Sequence, residues 1–209
     1  MPCLVVGKSW RIRREALEDF LRQGERPATL TGQLRSFLAM PDNVLGVAQD
    51  QELLHRLDAA FLSVGEARGG LLVKFAGGEP LSEAELRADL ESKGLAVGRL
   101  EVEGRFRFVH DGDSPDGRAE TLRELVSEVG GTVGRTIWAT FNWTEQVDPD
   151  TALRRQETLM ELVEERQLVV KTAVLERVID QWSSRRCGAR RSRTSALSGS
   201  RSPGWCLAA

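Results

Sequence analysis

Residues 44–75 read Val-Leu-Gly-Val-Ala-Gln-Asp-Gln-Glu-Leu-Leu-His-Arg-Leu-Asp-Ala-Ala-Phe-Leu-Ser-Val-Gly-Glu-Ala-Arg-Gly-Gly-Leu-Leu-Val-Lys-Phe, and their periodicity decides the fold. Val44 to Ala48 is a short apolar run of strand type. Asp50 can cap a helix, because its side-chain oxygen accepts from an otherwise unpaired backbone N–H of the first turn. Leu53, Leu54, Leu57, Ala60, Phe61 and Val64 then recur at helical spacing, with the end expected near Gly65. Leu71 to Phe75 is a second buried strand, set between Gly69-Gly70 and Gly77-Gly78. Two strands joined through a helix of this length pair in parallel, since a crossover needs about a dozen residues or more.

The alternation continues downstream. Ser82-Glu83-Ala84-Glu85 has capping-box spacing and starts a helix with Leu86 and Leu90 inward, closed by Lys93-Gly94. Leu95 to Val102 predicts a third strand, and Arg105 to Val109 a short alternating one. Asp111 to Gly117 is a polar loop. Arg118 to Val129 is helical, and Thr136 to Trp143 is the longest strand candidate. Asp148-Pro149 opens a helix with Leu153, Leu159, Leu162 and Val163, followed by a strand from Leu168 to Ala173 and a helix from Val174 to Trp182. The expected architecture is α/β, a mostly parallel sheet of about five or six strands flanked by helices.

Upstream, residues 3–21 have a different character. Leu4, Val5 and Val6 form a β-prone run, Gly7-Lys8-Ser9 a turn, and Trp10, Arg11, Ile12 and Arg13 a returning strand of period two. Leu17, Phe20 and Leu21 then mark a short amphipathic helix. A ribbon carrying Lys8, Arg11 and Arg13 can lie against phosphates. Gly7-Lys8-Ser9 imitates the end of a phosphate-binding loop, but no glycine lies five residues before Gly7 and no helix begins at the lysine. Gln23-Gly24-Glu25-Arg26-Pro27 reads as a stop and link, and Thr29 to Leu38 as a short helix or connector.

The spacing of Val6-Gly7, Trp10-Arg11, Leu17-Glu18 and Phe20-Leu21 resembles the wing and closing helix of excisionase/MerR-like DNA-binding domains. In that family a helix-turn-helix precedes the wing, whereas this chain opens at the hairpin. The resemblance implies that Lys8, Arg11 and Arg13 contact phosphates and that Trp10 packs the wing. It also implies that the chain as it stands lacks the element that reads bases, so it should not bind DNA specifically by itself.

Residues 43–182 resemble the MEDS sensory domain of dichloromethane-responsive repressors. The likeness rests on the stretch from Asp50 and Glu52 through Phe61-Leu62 to Gly65, on the Leu-Leu-Val strand, on Phe141-Asn142-Trp143, on Gln156-Glu157, and on Leu168 to Thr172. Thr172 stands where that family commonly has a cysteine. The resemblance implies a derivative of the RecA-like fold that senses a small organic molecule, in a homodimer, with Trp143, Glu157 and Thr172 as ligand-binding residues. The expected division is a partial DNA-binding module (1–24), a linker (25–42), the sensory domain (43–182) and a basic Ser/Arg-rich tail (183–209), whose abrupt composition suggests a frameshifted end.

Composition narrows the chemistry. The net charge of −2 hides +6 on residues 183–209, +2 on residues 1–26 and −10 on residues 27–182, so the middle of the chain is a poor polyanion binder. Cys3, Cys187 and Cys206 describe neither a disulfide framework nor a zinc site, which fits a reducing cytoplasm. No apolar run reaches 18 residues, so no membrane span is expected. His55 and His110 have no metal-ligand partner in spacing and read as ordinary surface or boundary residues. No nucleophile or phosphate cradle is evident, and Gly77-Gly78-Glu79-Pro80 lacks the lysine such a loop needs. The expectation is a regulator with no catalytic residue and no cofactor; the alternative is a signalling or interaction module of RecA-like ancestry that does not bind DNA.

Overall fold

A computed structural model describes residues 3–6, 9–12, 29–77, 81–110, 117–130, 135–143, 148–165 and 167–182. Strands β1 (Cys3–Val6) and β2 (Ser9–Ile12) pair antiparallel as a separate two-stranded sheet. The remaining elements in chain order are α1 (Leu30–Phe37), β3 (Asp42–Ala48), α2 (Gln51–Ala67), β4 (Leu71–Phe75), α3 (Glu83–Ser92), α4 (Val97–Val102), β5 (Phe106–Val109), α5 (Gly117–Gly130), β6 (Ile137–Trp143), α6 (Pro149–Glu165) and β7 (Leu168–Leu175). A last helix, α7, covers residues 176–182.

The main sheet has five strands in the order β3-β7-β6-β4-β5, and every neighbouring pair is parallel. The protein is therefore of the α/β class. Every residue of β4, β6 and β7 is buried. That explains their near-continuous apolar sequences, since helices cover both faces of a parallel sheet. On one face, Phe61, Leu62, Leu72, Trp138 and Val169 pack together with α3 and α4. On the other, Phe75, Phe141, Trp143, Val170 and Leu162 form the core beneath α5 and α6.

Caps form where the chain supplies them. Asp50 accepts from the Leu53 backbone at 2.7 Å, and Ser82 and Glu85 make a reciprocal capping box. Thr29 caps α1, which settles residues 30–37 as helix. Arg68 ties α1 to α2 by donating to the Arg35 and Leu38 carbonyls at 3.2 Å, while its guanidinium covers the Trp138 ring.

Three boundaries differ from expectation. Residues 97–102 are helical, not a strand: Val97 and Leu100 are buried while Val102 is 91% exposed, a helical sidedness within an apparently alternating run. Helix α2 runs through Gly65 to Ala67, and the stop falls at Gly69, whose φ of 75° suits glycine. Gly65 serves packing instead, because a Cβ there would meet the Trp138 ring at 2.5 Å. Strand β7 continues to Leu175, so Thr172 lies within the strand and not at its end.

Candidate functional site

Lys74, Thr140 and Lys171 occupy one register row across three adjacent strands. Their side chains meet a single carboxylate, Asp58, presented from α2. Asp58 accepts from Lys171 Nζ at 2.5 Å, Lys74 Nζ at 2.9 Å, Thr140 Oγ1 at 2.5 Å and Asn142 Nδ2 at 3.1 Å. All five residues are buried. An isolated charge in such surroundings is strongly disfavoured, so pairing is the condition for these groups to remain ionised.

Burial alone would push the Asp58 carboxyl up. The charges of Lys171 and Lys74, with hydrogen bonds from Lys171 and Thr140, outweigh it and hold the carboxyl far below the usual carboxylate range. The row crosses the middle of the sheet, with Thr140 at the centre of β6, short of the carboxyl edge where open α/β folds place their sites. It is sealed by α2, and its present chemistry is cohesive. None of Asp58, Lys74 or Lys171 was among the expected site residues. The available signal was a lysine inside each of two apolar strands and an aspartate on the apolar stripe of a helix.

The opposite face holds two of the expected ligand residues. Asn142 turns toward Asp58, whereas Trp143 enters the other core, so these consecutive residues project to opposite faces as alternation requires. Trp143 is 5% exposed, and its ring lies 5.8 Å from that of Trp182. Its indole N–H has no hydrogen-bond acceptor among the described residues. Thr172 shares this face and donates to Gln156 Oε1 at 3.0 Å, and Gln156 Nε2 donates to Asn43 Oδ1 at 2.9 Å. Glu157 is exposed on α6, and no hydrogen bond or ion pair links it to Trp143 or Thr172 among the described residues. Beside the carboxyl end of β6, Arg118 is buried over the Phe141 ring, 4.7 Å from its centroid, and reaches the Asn142 carbonyl at 3.5 Å.

The connection from β3 to α2 is only Gln49-Asp50, and the α2 N-terminus is closed by the chain's own carboxylate. His55 is buried, not a surface residue. Its Nδ1 lies 3.4 Å from Asp89 and its Nε2 contacts the Gln51 amide at 2.8 Å, which links α2 to α3. His110 is exposed, with its ring 3.6 Å from Glu83. Among the described residues no group of three His, Cys, Asp or Glu side chains could hold a metal ion, and no helix is long and apolar enough to cross a membrane.

Of the expected DNA-contacting residues, Trp10 and Arg11 fall on β2, with their Cα atoms paired to Val5 and Leu4. Lys8, Arg13, the closing helix of residues 14–21 and the basic tail lie outside the described residues.

No family model matches this chain, and no curated protein matches it. Among solved structures, a KaiC-like protein from the hyperthermophilic archaeon Pyrococcus horikoshii OT3 is similar, with a TM-score of 0.47 and 16% identity. The similarity covers 66% of this chain and 62% of that one, so this chain spans less than two thirds of that protein's length.

Proposed function

We propose that the α/β domain is a sensory and signalling module without turnover of its own, and that it takes a small organic molecule beside Trp143. One observation carries the reading: a buried indole N–H with no acceptor among the described residues, at the carboxyl end of a central strand. Nearly all buried polar groups in folded proteins are paired, so an orphan donor calls for an occupant or an explanation. The neighbouring Trp182 ring and apolar core suit an apolar body, and the N–H suits one carbonyl or ether oxygen. The short, self-capped junction before α2 argues against a phosphate cradle there, because Asp50 already occupies the anion position of the helix end.

The test is intrinsic fluorescence of the whole chain titrated with small ketones and cyclic ethers, with ATP as comparison. Binding should shift the emission, and Trp143→Phe should abolish the shift, with no response to ATP. A response that persists in the variant, or none from any ketone or ether, removes the assignment. ATP binding followed by hydrolysis would favour an enzyme instead.

A second reading adds DNA to the partners, supported by the antiparallel ribbon that carries Trp10 and Arg11. In it, Lys8, Arg11 and Arg13 lie on the phosphate backbone, and the ligand shifts the population of the DNA-bound arrangement. Gel shifts with this chain should then show weak, salt-sensitive and sequence-independent binding, lost when Lys8, Arg11 and Arg13 become alanine. Binding unaffected by those substitutions would remove the ribbon from the account.

A further inference from the structure

We propose that the small molecule taken beside Trp143 is an oxo acid, held by its carboxylate on Arg118 while its carbonyl oxygen accepts from the Trp143 indole N–H. The inference rests on the ligand reading given above and adds the chemical class of the ligand. Arg118 is the second residue of α5, and Trp143 is the last of β6. Both are more than nine-tenths buried, at 8% and 5% exposure. The Arg118 guanidinium lies over the Phe141 ring, 4.7 Å from its centroid. Phe141 and Trp143 project to the same face of β6, two residues and about 7 Å apart along the strand. A buried cation and an indole N–H without an acceptor among the described residues therefore stand side by side at the carboxyl end of the sheet. Open α/β folds receive their ligands there.

The surroundings of the guanidinium suit an anion. The amino end of a helix favours negative charge, yet the first turn of the 14-residue α5 buries a base, and Glu120, the acid of that turn, is exposed. A carboxylate at this point meets both the guanidinium fork and the positive end of the helix. The bond from Arg118 to the Asn142 carbonyl, at 3.5 Å, is at the long limit of a hydrogen bond, so little is lost when a charged acceptor replaces it. The Trp143 donor separately asks for an uncharged acceptor oxygen. A ketone answers only the second group, whereas an oxo acid answers both.

Isothermal titration calorimetry of the whole chain with 5-oxohexanoate and its methyl ester tests it. The acid should bind about tenfold or more tightly than the ester, which keeps the ketone and lacks the charge. Arg118→Met should remove that preference and leave the affinity for the ester unchanged, whereas Trp143→Phe should weaken acid and ester alike. Circular dichroism checks that Arg118→Met folds; if it does not, Arg118→Lys decides, because loss of the fork should reduce the preference. Equal binding of acid and ester, or a preference unchanged by substitution of Arg118, would overturn the proposal while leaving the Trp143 reading intact. Binding of neither compound would overturn both.

Discussion

The Lys171 ammonium lies 2.5 Å from the Asp58 carboxylate, with each side chain no more than 3% exposed. Lys74 approaches the other carboxylate oxygen at 2.9 Å, so one acid serves two buried bases. Asp58→Asn should therefore cost about 3–5 kcal/mol, because it leaves ammonium groups buried without their anion. Replacing Asp58 by Leu and both lysines by Met should recover most of that loss. Urea unfolding at neutral pH measures both, and a loss below about 1 kcal/mol for Asp58→Asn would show that the row is not cohesive.

The same pairing fixes a pH dependence. The folded carboxyl is held well below its ordinary value of 3.8, so folding is favoured by the ionised form. Its contribution is complete above that ordinary value and is lost as pH falls from it toward the folded value. Unfolding midpoints collected downward from pH 6 should show an acid limb that is shallower in Asp58→Asn. Identical limbs would mean that other carboxylates dominate acid unfolding.

Gly65 reverses a familiar rule. Gly→Ala inside a helix ordinarily stabilises by about 1 kcal/mol. Here the added methyl would meet the Trp138 ring at 2.5 Å, with Leu72 close behind at 2.8 Å. Gly65→Ala should destabilise by about 1–3 kcal/mol, as overpacked cores do. Thermal unfolding decides the sign.

Asp50→Ala should cost about 1 kcal/mol through loss of the α2 cap, while Asp50→Asn, which keeps the accepting oxygen, should cost less. Calorimetry of the two variants separates capping from charge.

Thr172→Val keeps the shape of the side chain and removes the donor to Gln156. A loss of about 1 kcal/mol is expected for the broken hydrogen bond. A larger loss would assign Gln156 a greater part in holding α6 onto β3 and β7.

The apolar strands around Leu72, Ala139 and Val170 and the caps at Asp50 and Ser82 were legible because burial and capping write local patterns. Residues 95–102 were not, because Leu95, Val97, Leu100 and Val102 fit a strand by alternation while tertiary packing chose a helix that exposes Val102. Gly65 misled for a related reason: a glycine required by Trp138, 73 positions away, looks the same as one that ends a helix. Trp143 and Thr172 do share a face, but Glu157 is exposed, and the Asp58 row joins residues too distant in sequence for spacing to reveal. Only the misfit of lysine within apolar strands hinted at it.

Asn142 and Trp143 share one peptide unit, yet the first is bonded to Asp58 and the second leans on Trp182. A shift of that stretch of β6 backbone would therefore disturb two things at once, the aromatic packing on one face and the buried charge cluster on the other.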